Sequence, residues 1–138
     1  MQDIMFPVKV VKGVPVVITP EEIDIVNAGD LRAALLNSAA HGPGAFAVDM
    51  SQTRFCDTAG LHALVRAHKR AQADGGKMLL VVPDITILRV LAITGLDRVF
   101  SHVATLDEAL AQLPATTITS APPPGTRAVA DDLTERAY

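Results

Sequence analysis

Hydrophobic residues recur along this chain in two rhythms, and each change of rhythm marks the edge of an element. In "PVKVVKGVPVVIT", residues 7–19, valines alternate on either side of Lys12-Gly13. That period of two predicts two short strands joined as a hairpin, with Pro15 at an edge or a strand start. After Thr19-Pro20 the pattern lapses over "EEIDIVNAGD", which is expected to be irregular. It resumes with helical spacing in "LRAALLNSAA", where Leu31, Leu35 and Leu36 share a stripe. Asn27 or Asp30 stands where a helix cap is needed, and Gly42-Pro43-Gly44 supplies a stop.

From Ala45 the two rhythms take turns. "AFAVDMS" predicts a strand, a polar connection follows, and Phe55-Cys56 marks a strand end. Between Leu61 and Ala73, one helical face carries Leu61, Leu64, Val65 and His68, and another carries Arg66, Lys69 and Arg70. Gly75-Gly76 ends that helix. "KMLLVV" is an unbroken apolar run, as in a strand covered on both faces. Pro83-Asp84 opens a helix bearing Ile85, Leu88, Leu91 and Ala92 that closes at Thr94-Gly95. "VFSHVA" predicts a last strand, and "TLDEALAQL" a last helix with Thr105 as N-cap and Glu108 in the capping-box position.

Strands alternating with helices predict an α/β domain over residues 1–114, with a mixed sheet of about five strands and about four helices. Beyond Pro114 the sequence holds three consecutive prolines and few large apolar residues. Residues 115–138 are expected to form a flexible tail.

Composition narrows the function classes. The 138 residues are 49% hydrophobic but only 4% aromatic, so the core must be aliphatic. A net charge of −3 with dispersed Lys and Arg predicts no direct nucleic-acid binding. Apolar runs are far shorter than the roughly 20 residues a membrane helix needs, and no export signal is visible at the start. A cytoplasmic protein without membrane insertion is expected. The single cysteine, Cys56, excludes an internal disulfide and reads as a small core residue. His41, His62, His68 and His102 lack the spacing of a helical metal site, so neither metal nor cofactor is expected. No glycine pattern for a dinucleotide or a P-loop is present, and the aspartates form no catalytic set; the chain is not expected to be an enzyme.

The candidate chemistry lies in "TRFCDTAGLHAL", residues 53–64, where a strand passes into a helix at Asp57-Thr58-Ala59-Gly60. The first N–H groups of a helix have no intrahelical partner. Asp57 or Thr58 can satisfy them as an N-cap. The same physics admits a second reading, because a hydroxyl displayed there can carry a phosphate that meets free donors and a favourable dipole. In that reading Asp57 orients the hydroxyl or assists its deprotonation, and Gly60 leaves room for a partner's close approach.

From Gly13 to about Leu113 the chain resembles a STAS domain, and within that family the bacterial anti-sigma factor antagonists. The resemblance is carried by "FAVDMSQTRFCDTAGL", an apolar strand, an aspartate, a connection and an Asp-hydroxyl-x-Gly-Leu helix start, and by "GGKMLLVVPDITILRVLAITGLDRVFSHVATLDEAL". It implies a STAS-like fold and a partner switch. An unphosphorylated antagonist binds an anti-sigma factor that is also a serine/threonine kinase, phosphorylation ends the complex, and a phosphatase restores it. By position, Thr58 takes the phosphoacceptor's place. Asp57, Thr58, Ala59, Gly60, Asp24 and His62 form the expected partner-binding set, with the free chain a monomer. Ala59 departs from the pattern, which usually has a second hydroxyl there. The alternative is a free-standing STAS subunit of a membrane transport system.

Overall fold

The computed structural model describes residues 6–39 and 44–113, and its first element follows from the turn that Lys12 and Gly13 make. Both have positive φ, 53° and 80°. This is the two-residue turn whose twist matches a hairpin, and glycine relieves half of its strain. It joins β1 (Val8–Val11) to β2 (Val14–Ile18) in antiparallel register, with Val11 opposite Val14. Pro15 lies one residue into β2. Pairing of β2 with the next strand begins only at Val16, so the missing N–H leaves no gap in that ladder.

The remaining elements run in chain order as β3 (Glu22–Ile23), α1 (Ala28–Ala39), β4 (Ala45–Asp49), β5 (Phe55–Cys56), α2 (Thr58–Ala73), β6 (Lys77–Val81) and α3 (Ile85–Thr94). A 3-10 turn (Leu96–Arg98), β7 (Ser101–Val103) and α4 (Leu106–Gln112) follow. The main sheet has the order β1-β2-β4-β6-β7, antiparallel at β1 and parallel elsewhere. The expected mixed five-stranded sheet and four helices are present. The N-terminal residues through Met5, the proposed stop at Gly42-Pro43 and the expected tail lie outside the described residues.

Alternation along the strands divides the core in two. Val17, Phe46, Val48, Met78 and Leu80 face the larger cluster, which α1, α2 and α3 complete with Leu31, Leu35, Leu61, Leu64, Ile87 and Leu91. Val14, Val16, Ala45, Ala47, Leu79 and Val81 face the smaller one, covered by Ala109 of α4 and by Leu113. Burial of both faces of β6 accounts for its lack of polar alternation. Each fully buried Leu or Ile contributes about 1.5–3 kcal/mol.

Three local expectations are corrected. The stretch before α1 is not wholly irregular, because Glu22–Ile23 pairs with Phe55–Cys56 as a separate parallel ribbon. Neither proposed side-chain cap serves α1. Asn27 occupies the cap position, but its side chain turns back, accepting from Asp24 N and donating to Glu22 O, both at 2.9 Å. Finally, α3 buries Ile87 and Leu91 and leaves Ile85 and Ala92 exposed. Its start is fixed by Asp84, whose Oδ1 accepts from Thr86 N at 2.7 Å, and Ile85 at the first helical position consequently points outward.

Candidate functional site

The β3–β5 ribbon brings two distant stretches of chain side by side. Arg54 N and Phe55 N donate to Glu21 O at 2.8 and 3.2 Å, and Asp57 N donates to Ile23 O at 3.0 Å. The turn of residues 24–27 thereby abuts the start of α2. Beneath it, the buried hydroxyls of Thr19 and Thr53 lie 2.5 Å apart, and Thr53 Oγ1 donates to Pro20 O at 2.7 Å. Gln52 Nε2 adds a bond to Thr19 O at 3.0 Å. With its buried donors and acceptors paired, this platform holds the loops above it.

Asp57 clamps the junction with both carboxylate oxygens. Oδ1 accepts from Gly60 N at 3.1 Å and caps α2, while Oδ2 accepts from Ile25 N at 3.2 Å across 32 residues of sequence. Asp57 is therefore the N-cap, and Thr58 is the first helical residue. Thr58 is exposed, and its hydroxyl has no hydrogen-bond partner among the described residues. The reading of Thr58 as a cap is corrected by this geometry. So is the reading of Asp57 as an orienting group for the hydroxyl: no bond joins them, and both Asp57 oxygens serve backbone N–H groups.

The other expected site residues fall on both sides of the surface. Asp24 is half-buried, and its Oδ1 accepts from Val26 N and Asn27 N at 2.9 and 3.3 Å, closing its own turn. Ala59 is half-buried and His62 exposed, one helical turn along α2 from Thr58. Gly60 is corrected: it is buried, and a Cβ there would lie 2.6 Å from Ile23 Cγ2 and 2.7 Å from Cys56 Sγ. Its clearance is used inside the fold, for the packing of α2 on the ribbon, and not by an outside partner. Arg66, Lys69 and Arg70 are exposed, with Arg70 Nε donating to Asp74 Oδ2 at 3.0 Å.

Sequence reasoning missed three exposed apolar side chains on the elements that meet at the start of α2. Ile25 and Val26 are 78% and 86% exposed, and Phe55 is 50% exposed. Their signal was an Ile-Val pair within an otherwise polar stretch, which no periodicity singles out. Cys56, next to the site, is buried; burial first, and the neighbouring Asp57 charge second, push its thiol up to about 12. It is an inert core thiol. Among the described residues no group of His, Cys, Asp and Glu is placed to hold a metal ion, and no described helix is long and apolar enough to cross a membrane.

Comparison with known proteins gives a consistent picture. The STAS domain family model matches residues 5–109. A protein of Thermotoga neapolitana named as a candidate anti-sigma factor antagonist is 30% identical over 110 residues, spanning 79% of this chain and 97% of its own. The crystal structure of an anti-sigma factor antagonist from Mycobacterium paratuberculosis is 31% identical with a TM-score of 0.71, over 78% of this chain and 92% of that one. A candidate antagonist from Thermotoga maritima is 28% identical with a TM-score of 0.72, over 79% and 94% of the two chains.

Proposed function

The chain belongs to the STAS domain family, and from that membership we propose that it is an anti-sigma factor antagonist switched by phosphorylation of Thr58. It acts by binding, not by catalysis. In its unphosphorylated form it occupies an anti-sigma factor that is also an ATP-dependent serine/threonine kinase, releasing the sigma factor to direct transcription. The kinase transfers phosphate to the Thr58 hydroxyl and the complex dissolves; a phosphatase resets the chain. The exposed Thr58 hydroxyl carries this reading, because it is free of any structural duty that Asp57 already performs.

The nearby surface supports the same assignment. Exposed Ile25 and Val26, in the turn that Asp57 holds against the start of α2, and Phe55, three residues before Thr58, offer a partner apolar surface to bury. A phosphate there adds a charge of about −1.5 to −2 at pH 7. Burying such a charge unpaired against apolar surface costs several kcal/mol, enough for a hundredfold or larger loss of affinity. Neighbouring hydroxyls are poor substitutes: Thr53 is fully buried, and Ser51 Oγ donates to Asp49 Oδ1 at 2.5 Å.

The test is binding to the anti-sigma factor by titration calorimetry, with mass spectrometry after incubation with the kinase and ATP. Thr58→Ala is expected to bind and remain unmodified, and Thr58→Glu to fold normally and bind at least about a hundredfold more weakly. A single phosphate should appear on Thr58, since Ala59 offers no second hydroxyl. Equal affinity of the two variants, or normal phosphorylation of Thr58→Ala, refutes the switch.

A further inference from the structure

Beside the start of α2, on the side facing α1, lies an open groove of about 190 Å³. Its floor is made of small residues, Ala28 and Gly29 from α1 and Ala59 and Ala63 from α2, and its rim of Arg32, His62 and Arg66. A Cβ added at Gly29 would meet nothing within 4 Å, so the groove is open at that point. Arg32, His62 and Arg66 are exposed, and neither guanidinium forms an ion pair or hydrogen bond with a described residue. By contrast, Arg70, one turn farther along α2, is paired with Asp74. Two unpaired arginines, one from each helix, thus line a cleft shared with small residues.

The ribbon and the turn after β3 carry the opposite sign. Glu21, Glu22, Asp24 and Asp57 lie in or next to the ribbon and the turn after β3, and the whole chain carries −3. Successive residues of a helix are about 100° apart, so Thr58 and Ala59 point to different sides of α2. The groove's lining nevertheless begins at Ala59, the residue after Thr58, and at Ala28, two residues after Val26.

We propose that this groove is a receptor for a carboxylate side chain, Asp or Glu, of the protein partner that docks over Thr58. The inference rests on the proposed function and adds the partner's chemistry to it: acidic opposite the α1–α2 groove, apolar opposite Ile25 and Val26. Guanidinium groups suit this task because their planar N–H forks match a carboxylate with two parallel hydrogen bonds. The pairing fixes the orientation of the partner on the helix start, since an acidic segment placed instead over Glu21, Glu22 and Asp24 meets like charge.

The test has two arms. In the first, a hexaglutamate peptide is titrated into the isotope-labelled chain at low salt, with hexalysine as control. Saturable shifts are expected at Ala28, Gly29, Ala59, His62 and the Arg32 and Arg66 side chains, weakened about tenfold or more in an Arg32→Gln/Arg66→Gln variant whose remaining spectrum is unchanged. Shifts centred elsewhere, or surviving in the double variant, overturn the inference. In the second arm, the anti-sigma factor is titrated with Arg66→Glu, for which a loss of about tenfold or more is expected, smaller in Arg66→Lys. Binding unchanged by Arg66→Glu while Thr58→Glu abolishes it overturns the groove's role and leaves the phosphorylation switch standing. Failure of the anti-sigma factor to bind any form, with hexaglutamate still in the groove, overturns the proposed function and supports the carboxylate receptor.

Discussion

Replacing Gly60 by alanine puts one methyl group where the fold has no room. The new Cβ would stand 2.6 Å from Ile23 Cγ2 and 2.7 Å from Cys56 Sγ. Both neighbours must retreat by roughly 1 Å to regain ordinary contact. Ile23 is completely buried and belongs to the two-residue strand β3, so it moves only by carrying the ribbon with it. Overpacking of this kind costs about 1–3 kcal/mol, offset by at most about 1 kcal/mol from the better helix propensity of alanine. A net loss of about 1–2 kcal/mol is expected, read as a lower midpoint in urea denaturation and a fall in Tm of roughly 5–10 °C. A double-mutant cycle locates the cause: Ile23→Ala removes the Cγ2 that the new methyl strikes, so the two changes together should cost about 1 kcal/mol or more less than their sum. Stability of Gly60→Ala equal to or above that of the parent chain, or simple additivity with Ile23→Ala, refutes the reasoning.

Three further outcomes are expected. Val26→Asp, at a position 86% exposed, should leave Tm within about 2 °C of the parent yet weaken binding of the anti-sigma factor; unchanged affinity in calorimetry removes the apolar patch from the interface. His68 Nδ1 is buried without a partner, its ring stands edge-on to Phe100 at 5.6 Å, and desolvation lowers its pKa. The unfolded chain therefore takes up a proton near pH 6.5 that the folded chain refuses, so His68's contribution is complete above about pH 6.5 and falls as pH drops below it. His68→Gln should flatten the stability profile between pH 7.5 and 5.5, and an identical slope in that variant contradicts the assignment. Cys56, with its thiol pushed up to about 12, should resist iodoacetamide at pH 8 in the folded chain and react on unfolding; rapid labelling of native protein contradicts its burial.

The features legible in the sequence are those decided by near neighbours. Thr105 and Glu108 form the anticipated capping box, with Glu108 N donating to Thr105 Oγ1 at 3.1 Å and Glu108 Oε1 accepting from Thr105 N at 3.1 Å. The Lys12-Gly13 hairpin and the doubly buried β6 follow equally local patterns. Whether Asp57 or Thr58 caps α2 does not, because either residue type can do so. The decision is made when Ile23 O takes the Asp57 N–H and Ile25 N–H takes the second carboxylate oxygen, contacts that exist only once the ribbon has formed. A strand of two residues has no period to detect, so β3 was invisible, and with it the neighbour that makes Gly60 face inward. Arg32 escaped notice because it lies in a different helix from Arg66, and only the packing of α1 against α2 makes a groove of them.

The Asp57 clamp separates holding from signalling. Had Thr58 been the cap, any mark written on its hydroxyl would have broken the bond that starts the helix, and reading the mark would have meant partly melting the protein. With Asp57 bearing that duty, Thr58 under the proposed function would be a page that can be written and wiped while the helix start stays bound. Under the proposed function, writing the mark would then break no hydrogen bond of the fold. How long a message lasts would depend on the enzymes that write and erase it, and not on how soon the marked molecule unfolds.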